Sequence, residues 1–254
     1  MVVAEGQDGA IVVDTTFGGA AVVAKVAEVT RRPLRYIVNT HSHPDHTGAN
    51  AELARQGAIV VSTANAATRM AQDFPSPRGG FDPAVPPEGR PKETFQDRRT
   101  VEIAGQRAEL MAFPPAHTDG DLFVYFPVAN VIIMGDLHHS NEYPVYDADM
   151  GCRCGSYEGN LRAYDAMLAA GNDRTIYIPG HGGPTTKAEV TAYVAMLRRV
   201  RDQVNAQIAQ GKSADEVVAL KLLADDRSPT TPGPDNRDQF IRTLYNALRS
   251  GQGR

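Results

Sequence analysis

The chain has 254 residues, 42% of them hydrophobic, and a formal net charge of −4 at pH 7. That length supplies enough apolar material for a sizeable core, and the composition is that of an ordinary globular protein. A mild negative charge, with no long run of lysine or arginine, argues against a nucleic-acid partner. No apolar run reaches the length of a membrane span, which argues against a membrane partner.

Apolar periodicity and turn residues predict alternating strands and helices in the first third of the chain. The predicted strands are Met1–Ala4, Ala10–Val13, Leu34–Asn39 and Ala58–Ser62, and the predicted helices are Ala20–Arg31, Thr47–Gln56 and Ala64–Gln72. Phe74–Pro91 is rich in proline and glycine, so we expect a long loop there. Phe74 and Phe81 are candidates for an apolar lid.

The middle of the chain reads as hairpins followed by strand–helix units, and its end is helical. The predicted strands are Thr100–Ala104, Arg107–Phe113, Asp121–Phe126, Asn130–Gly135 and Arg174–Ile178, and the predicted helices are Ser156–Ala170, a long one from Thr186 to about Gln210, a short one from Ser213, and Asp238–Arg249. Glu189 and Glu216 complete capping boxes for two of these helices. The mixture predicts layered α/β structure. We expect one domain over residues 1–254, with the helices from about residue 186 packed on it.

The run His41-Ser42-His43-Pro44-Asp45-His46 gathers four potential metal ligands directly after a predicted strand. Alternation points His41 and His43 the same way if the chain stays extended, and Pro44 fixes a bend. Four adjacent ligands create a charge and desolvation problem that a divalent cation solves. This run therefore predicts a metal site.

Further potential ligands follow three later strands. They are His117, Asp136 and His181. The C-terminal ends of strands are where loops present chemistry on a rigid sheet. A lone histidine is more often structural than a ligand, and that reading applies to His138 and His139 taken singly.

These motifs together resemble the metallo-β-lactamase fold. The run Thr40–Gly48 resembles its HxHxDH signature, and its later motifs follow in the same order as Ala116-His117-Thr118, Gly135-Asp136 and Gly180-His181-Gly182. The stretch Ile11–Thr15 resembles an early strand of the family that ends in Asp-Thr. The resemblance covers roughly Ala10 to Pro184.

The resemblance implies an αββα sandwich with a two-metal site. The implied ligands are His41, His43 and His117 for one metal, Asp45, His46 and His181 for the other, and Asp136 as the bridge. Two zinc ions per chain are expected, with iron or manganese as alternatives. A metal-bridging hydroxide would be the nucleophile, and Asp45 would orient it. Asp14 is a candidate second-shell carboxylate, although a strand-end turn residue is an equally good reading.

Aspartate at position 136 favours the hydrolase branches of this family, because penicillin-hydrolysing members often have cysteine there. We therefore expect hydrolysis of an ester, lactone, thioester or amide-type substrate, with β-lactamase activity disfavoured. A mononuclear iron oxygenase similar to persulfide dioxygenases, with His41, His117 and Asp136 as its facial triad, is the alternative. A metal-stabilised binding protein without turnover is the third hypothesis.

A small-molecule substrate is the expected partner, and the oligomeric state stays open. His138, His139, Tyr143 and Tyr146 follow Asp136 closely and could contact the substrate or form a second shell, with structural packing the favoured reading. No charged-then-apolar leader follows Met1, so we expect a cytoplasmic protein, or a periplasmic or secreted one if a signal was trimmed.

The two cysteines, Cys152 and Cys154, are separated by one residue. A disulfide across so short a span would be strained, so the sequence favours ordinary loop cysteines. Metal ligation by this pair is the less favoured reading, because a lone CxC is a weak signal.

Overall fold

A computed structural model of the chain describes residues 1–75, 81–146 and 154–250. Strands form where β-branched and other apolar residues cluster between turns. They are β1 Val2–Glu5, β2 Ala10–Val13, β3 Leu34–Val38, β4 Ile59–Thr63, β5 Phe74–Pro75, β6 Phe81–Asp82, β7 Glu93–Phe95, β8 Arg98–Ile103, β9 Gln106–Ala112, β10 Leu122–Phe126, β11 Val131–His139, β12 Ile176–His181 and β13 Thr185–Thr186.

The helices follow the predicted order closely. They are α1 Ala20–Val29, α2 Pro44–Thr47, α3 Asn50–Ala54, α4 Ala64–Met70, α5 Tyr157–Ala170, α6 Lys187–Ala209, α7 Ala214–Ala219 and α8 Arg237–Ser250, and a 3₁₀ turn covers Pro87–Gly89. Both predicted capping boxes are confirmed, at Thr186 with Glu189 and at Ser213 with Glu216. Among the described residues, no helix combines the length and apolar character needed to cross a membrane.

Two larger sheets organise the strands. One has the order β1-β2-β3-β4-β7, in which β2, β3, β4 and β7 run parallel and β1 pairs antiparallel with β2. The other has the order β13-β12-β11-β10-β9-β8. All four residues of β2 are buried, as expected for a central parallel strand covered on both faces. Beside β2 and β3, the apolar faces of α1 and α3 form a shared core around Val22, Val26 and Leu53.

The chain divides into two compact units. The first comprises Met1–Ala112 with Gly120–Ile133, and the second comprises Phe113–Asp119 with Met134–Arg254. Within the second unit, α6 packs against α5 and α8, and the Tyr157 hydroxyl donates to the Leu197 carbonyl. The expectation of a single domain over the whole chain stays a prediction.

Three local differences from the predicted elements affect the regions around the candidate ligands. The helix predicted over Thr47–Gln56 is present as α3 but is shorter, because a separate helical turn begins at Pro44 and the helix is interrupted at Gly48 and Ala49. A Cβ on Gly48 would lie 2.8 Å from the Pro44 carbonyl oxygen and 2.9 Å from that of Thr16, so only glycine fits this approach. Strand β7 was not predicted, and β11 runs on to His139, which places Asp136 inside a strand.

The lid expected around Phe74 and Phe81 falls partly on residues 76–80, which lie outside the described residues. On either side of that gap, β5 and β6 pair as an antiparallel ribbon. The Arg69 guanidinium stacks over the Phe74 ring at 5.0 Å, and Phe81 is exposed. A lid role stays a prediction.

Candidate metal centre

The opening motif becomes a tight turn into a short helix. β3 ends at Val38, and His43 is the extended residue immediately before α2, with Pro44 in the first helical position. Proline is well suited there because its missing N–H would have no partner in the first turn. Asp45 and His46 therefore lie on the first turn of α2. The Thr47 hydroxyl donates to the His43 carbonyl and closes this turn.

Asp14 orients two of these histidines, one directly and one through Thr40. Its carboxylate accepts from the Thr40 backbone N–H at 2.8 Å and from the Thr40 hydroxyl at 2.9 Å, and it lies 2.8 Å from Nδ1 of His46. Because the Thr40 hydroxyl donates to Asp14, its oxygen can accept from Nδ1 of His41, 3.1 Å away. Both imidazoles are thus held through Nδ1, which leaves Nε2 with a lone pair for a cation.

The backbone at Asp14 supports this special role. Asp14 has φ 57, in the left-handed region that few residues other than glycine adopt. Aspartate tolerates this conformation better than most side chains. Such outliers persist where surrounding contacts hold them, and here the contacts are those with Thr40 and His46. This geometry fits both interpretations of Asp14, as a turn residue at the end of a strand and as a carboxylate that orients metal-binding histidines.

His117, Asp136 and His181 come together within the second unit. Asp136 Oδ2 lies 3.7 Å from Nε2 of His117 and 3.3 Å from Nε2 of His181. His117 is held from behind, since its Nδ1 lies 2.7 Å from the Val145 carbonyl oxygen. Gly180 allows a close approach, because a Cβ there would lie 1.8 Å from Asp136 Oδ1.

Each unit thus brings its own share of the predicted ligands together. In the first unit, Asp45 Oδ2 lies 3.7 Å from Nε2 of His46. The division of the ligands between two metals, and the roles of these residues as ligands, stay predictions.

The donor set fits divalent metal ions that prefer nitrogen and oxygen. Nε2 of His41 and Nδ1 of His43 lie only 3.0 Å apart, and the ring centroids of His41 and His46 are 4.2 Å apart. His41, His46 and His117 are all buried. Imidazole and carboxylate together are typical zinc ligands, and oxygen acceptors behind the rings are typical of metal-binding histidines.

Replacement of Asp14 by asparagine should weaken metal binding. Asparagine keeps the size and tolerates the backbone, but it removes the charge that fixes His46 and, through Thr40, His41. We expect metal affinity to fall roughly 10- to 100-fold, as for other carboxylates that hydrogen-bond to metal-binding histidines. Chelator competition measures this. Asp165→Asn, which makes the same change on the surface of α5, serves as the control, and equal affinities in both variants would remove Asp14 from the metal site.

His138, Tyr143 and Tyr146 lie in packed surroundings. Nδ1 of His138 is 2.9 Å from the Tyr164 hydroxyl, and its ring meets Tyr193 edge-on at 4.7 Å. The Tyr143 ring stacks on Phe240, and its hydroxyl donates to Asp226. The Tyr146 hydroxyl accepts from the Asn160 amide. These contacts agree with the structural reading, and roles in substrate binding stay predictions.

His138 should make stability depend on pH. Burial lowers the pKa of His138 from 6.5 to about 3, with a smaller effect from His139 in the same direction. Below pH 6.5 the unfolded chain binds a proton at this histidine, whereas the folded chain does not until the pH approaches 3. The free energy of unfolding therefore falls as pH drops from 6.5 towards 3. We expect the free energy of unfolding to fall by up to about 1.4 kcal/mol per pH unit from this group. Urea unfolding with chelator present, at pH 7, 6 and 5, should show a shallower slope for His138→Gln, and identical slopes would refute this assignment.

His139 and Glu142 add an acidic contact that the motif analysis did not reveal. Nδ1 of His139 lies 3.0 Å from Glu142 Oε1, and its Nε2 lies 3.3 Å from Asp136 Oδ2. Burial alone would lower the pKa of His139, but the carboxylates of Asp136 and Glu142 outweigh it and raise the pKa. His139 was among the predicted second-shell candidates, whereas Glu142 was not predicted. Its only sequence signal is the spacing of three residues from His139.

Cys154 differs from its prediction, because it is disulfide-bonded. The expectation of ordinary loop cysteines is therefore wrong for Cys154. The chain has one other cysteine, Cys152, which lies outside the described residues.

Comparison with known proteins gives a match along most of the chain. The family model described as Metallo-beta-lactamase superfamily matches residues 1–187. A hydroxyacylglutathione hydrolase of Synechococcus sp. (strain JA-3-3Ab) is 33% identical over 246 residues, covering 96% of this chain and 83% of the relative. The 2,4-dinitroanisole O-demethylase subunit alpha of Nocardioides sp. (strain JS1661) is 28% identical over 195 residues, covering 74% of this chain and 54% of the relative.

A solved structure supports the fold. The stereoselective inverting sec-alkylsulfatase Pisa1 from Pseudomonas sp. matches with a TM-score of 0.66 and 18% identity, over 96% of this chain and 46% of that one. The chain thus spans about half the length of the alkylsulfatase and of the demethylase subunit.

Proposed function

Because the chain belongs to the metallo-beta-lactamase superfamily, we propose that it is a metal-dependent hydrolase of thioesters or carboxylic esters that works with two zinc ions per chain. The observation that carries this proposal is the approach of both His117 and His181 to Asp136 Oδ2 within the second unit. Together with the four predicted ligands His41, His43, Asp45 and His46 of the first unit, they are more donors than a single metal would need. Nitrogen and oxygen donors in this number are the chemistry that zinc prefers in hydrolytic sites.

The side chains of this chain divide the work. His41, His43 and His117 would hold one ion and Asp45, His46 and His181 the other, with Asp136 contributing to both. When bound, two such ions lower the pKa of a coordinated water and polarise the carbonyl that is attacked. Asp45, whose side chain is 28% exposed, can accept a hydrogen bond from that water and orient it. Asp14 keeps His46 in the tautomer that offers Nε2.

Thioesters come first among the substrates because of the hydroxyacylglutathione hydrolase relative. That protein shares 33% identity over nearly the whole of this chain, and its name denotes an acyl group joined to a thiol. Carboxylic esters react through the same attack on a carbonyl, so both classes belong to one proposal. The aspartate at position 136 agrees with hydrolases of this kind.

The test is a substrate panel with zinc-loaded protein of the full 254-residue chain. The panel contains acyl thioesters, aryl esters, lactones, sulfate esters, phosphodiesters and cephalosporins. Thiol release with a coloured thiol reagent reports on the thioesters. We expect the thioesters or aryl esters to give the highest kcat/KM, and a chelator to abolish that activity.

Two results would contradict the proposal. Turnover of sulfate esters, phosphodiesters or cephalosporins without acyl hydrolysis would assign another bond. Oxygen consumption with a persulfide by protein that holds one iron would instead establish the oxygenase alternative.

A further inference from the structure

The two ring nitrogens of His139 lie in different environments. The side chain is buried at the end of β11, with 4% of its surface exposed. Nδ1 lies 3.0 Å from Glu142 Oε1. Nε2 is also buried, and within the described residues it has no hydrogen-bond partner. This nitrogen lies 3.3 Å from Asp136 Oδ2. The distance suits a hydrogen bond, but the angle does not.

The contact with Glu142 fixes which nitrogen carries the proton. An ionised carboxylate only accepts, so Nδ1 of His139 must donate to Glu142. A neutral ring would then have its lone pair on Nε2, the nitrogen that faces Asp136. Two such acceptors side by side need a positive charge between them, which a proton on Nε2 or a metal cation can supply. A metal-binding histidine usually donates a hydrogen bond from one ring nitrogen to a carboxylate or carbonyl oxygen and binds the cation through the other nitrogen.

The distances fit a shared cation. Two neighbouring ligand atoms bound to one zinc ion at about 2.1 Å lie roughly 3.0 to 3.4 Å apart, for angles between a right angle and the tetrahedral one. Nε2 of His139 and Nε2 of His181 each lie 3.3 Å from Asp136 Oδ2. The rings of His139 and His181 are 4.9 Å apart, centroid to centroid, at 65° to each other. His139 thus stands in the same relation to Asp136 as the predicted ligand His181 does.

We propose that His139 is an additional metal ligand, which binds through Nε2 the ion held by Asp136 and His181, with Glu142 fixing its ring. The inference rests on the proposed function for the presence of that ion, and it adds a ligand outside the HxHxDH pattern. An extra imidazole makes this position richer in nitrogen donors than the motif alone implies. It should bind zinc more tightly than Asp45, His46, Asp136 and His181 would without it.

The test compares metal binding by the full chain with that of His139→Phe and His139→Asn. Chelator competition with zinc gives the affinity of each of the two equivalents. In both variants we expect one equivalent to weaken at least 10-fold while the other is unchanged. Circular dichroism confirms that the variants fold, and the smaller asparagine covers the case in which phenylalanine does not fit.

Cobalt-loaded protein distinguishes a ligand from a residue that only positions Asp136. A bound His139 gives a paramagnetically shifted Nδ1–H resonance, which exchanges slowly because it is buried against Glu142. We expect that resonance to vanish in both variants. The control variant His138→Gln, which removes the ring that contacts Tyr164, should retain it. Unchanged zinc affinities, or the same set of shifted imidazole resonances in parent and variants, would overturn the inference. Failure of the proposed function is separate, since it would appear as bound metal without acyl hydrolysis.

Discussion

Replacement of Asp136 by alanine is expected to remove most of the activity and to lower the affinity for both metal ions. Asp136 Oδ2 lies 3.7 Å from Nε2 of His117 and 3.3 Å from Nε2 of His181, and the proposed function assigns this carboxylate to both ions. A bound ion supplies several kcal/mol of transition-state stabilisation, and about 1.4 kcal/mol is tenfold in rate, so hydrolysis should fall roughly 10³-fold or more. Elemental analysis and kcat/KM of the same preparation measure the two effects together.

Asp165→Ala is the matched control for this change, because it removes a carboxylate whose ion pair with Arg198 lies on the surface. It should keep full metal content and rate. If Asp136→Ala retained two equivalents of metal, Asp136 would have to be withdrawn from the site.

Replacement of Gly180 by alanine should have the second largest effect, although it adds only a methyl group. A Cβ there would lie 1.8 Å from Asp136 Oδ1 and 2.8 Å from the carbonyl carbon of Gly135, so both the carboxylate and the backbone of β11 must move. Overpacking of this kind costs typically 1–3 kcal/mol of stability. The displaced carboxylate should also bind metal more weakly, with a fall in kcat.

Gly183→Ala provides the comparison, because its new methyl group would meet Thr231 Oγ1 at an ordinary 3.5 Å. We expect near-parental melting temperature, metal content and kcat from that variant. Equal behaviour of the two alanine variants would mean that the backbone of Gly180 does not hold Asp136 in place.

The sequence predicted the family and the fold class. The family match confirms the family, and the solved alkylsulfatase structure confirms the fold class. The sequence also placed His41, His43, Asp45 and His46 together, because they are adjacent in the chain and a bend at Pro44 decides their directions. Of the later ligands, His117 follows β9, Asp136 lies within β11 and His181 ends β12, and both histidines lie close to Asp136. The division of the ligands between two metals stays a prediction.

Other features depend on contacts that periodicity does not contain. The need for glycine at position 48 follows from the carbonyl oxygen of Thr16, which is distant in sequence. Strand β7 is only three residues long and forms through its pairing with β4, so its own sequence gives little signal. The contact of Glu142 with His139 depends on how the chain turns after β11. The substrate stays a proposal for the same reason, since specificity depends on loops.

Metal content of the protein, purified without added metal, tests the central claim most directly. Elemental analysis of the full chain should give close to two equivalents of zinc per chain, and their removal by a chelator should abolish hydrolysis that added zinc then restores. A protein that holds no metal, or one iron with oxygen uptake, would contradict the two-metal hydrolase.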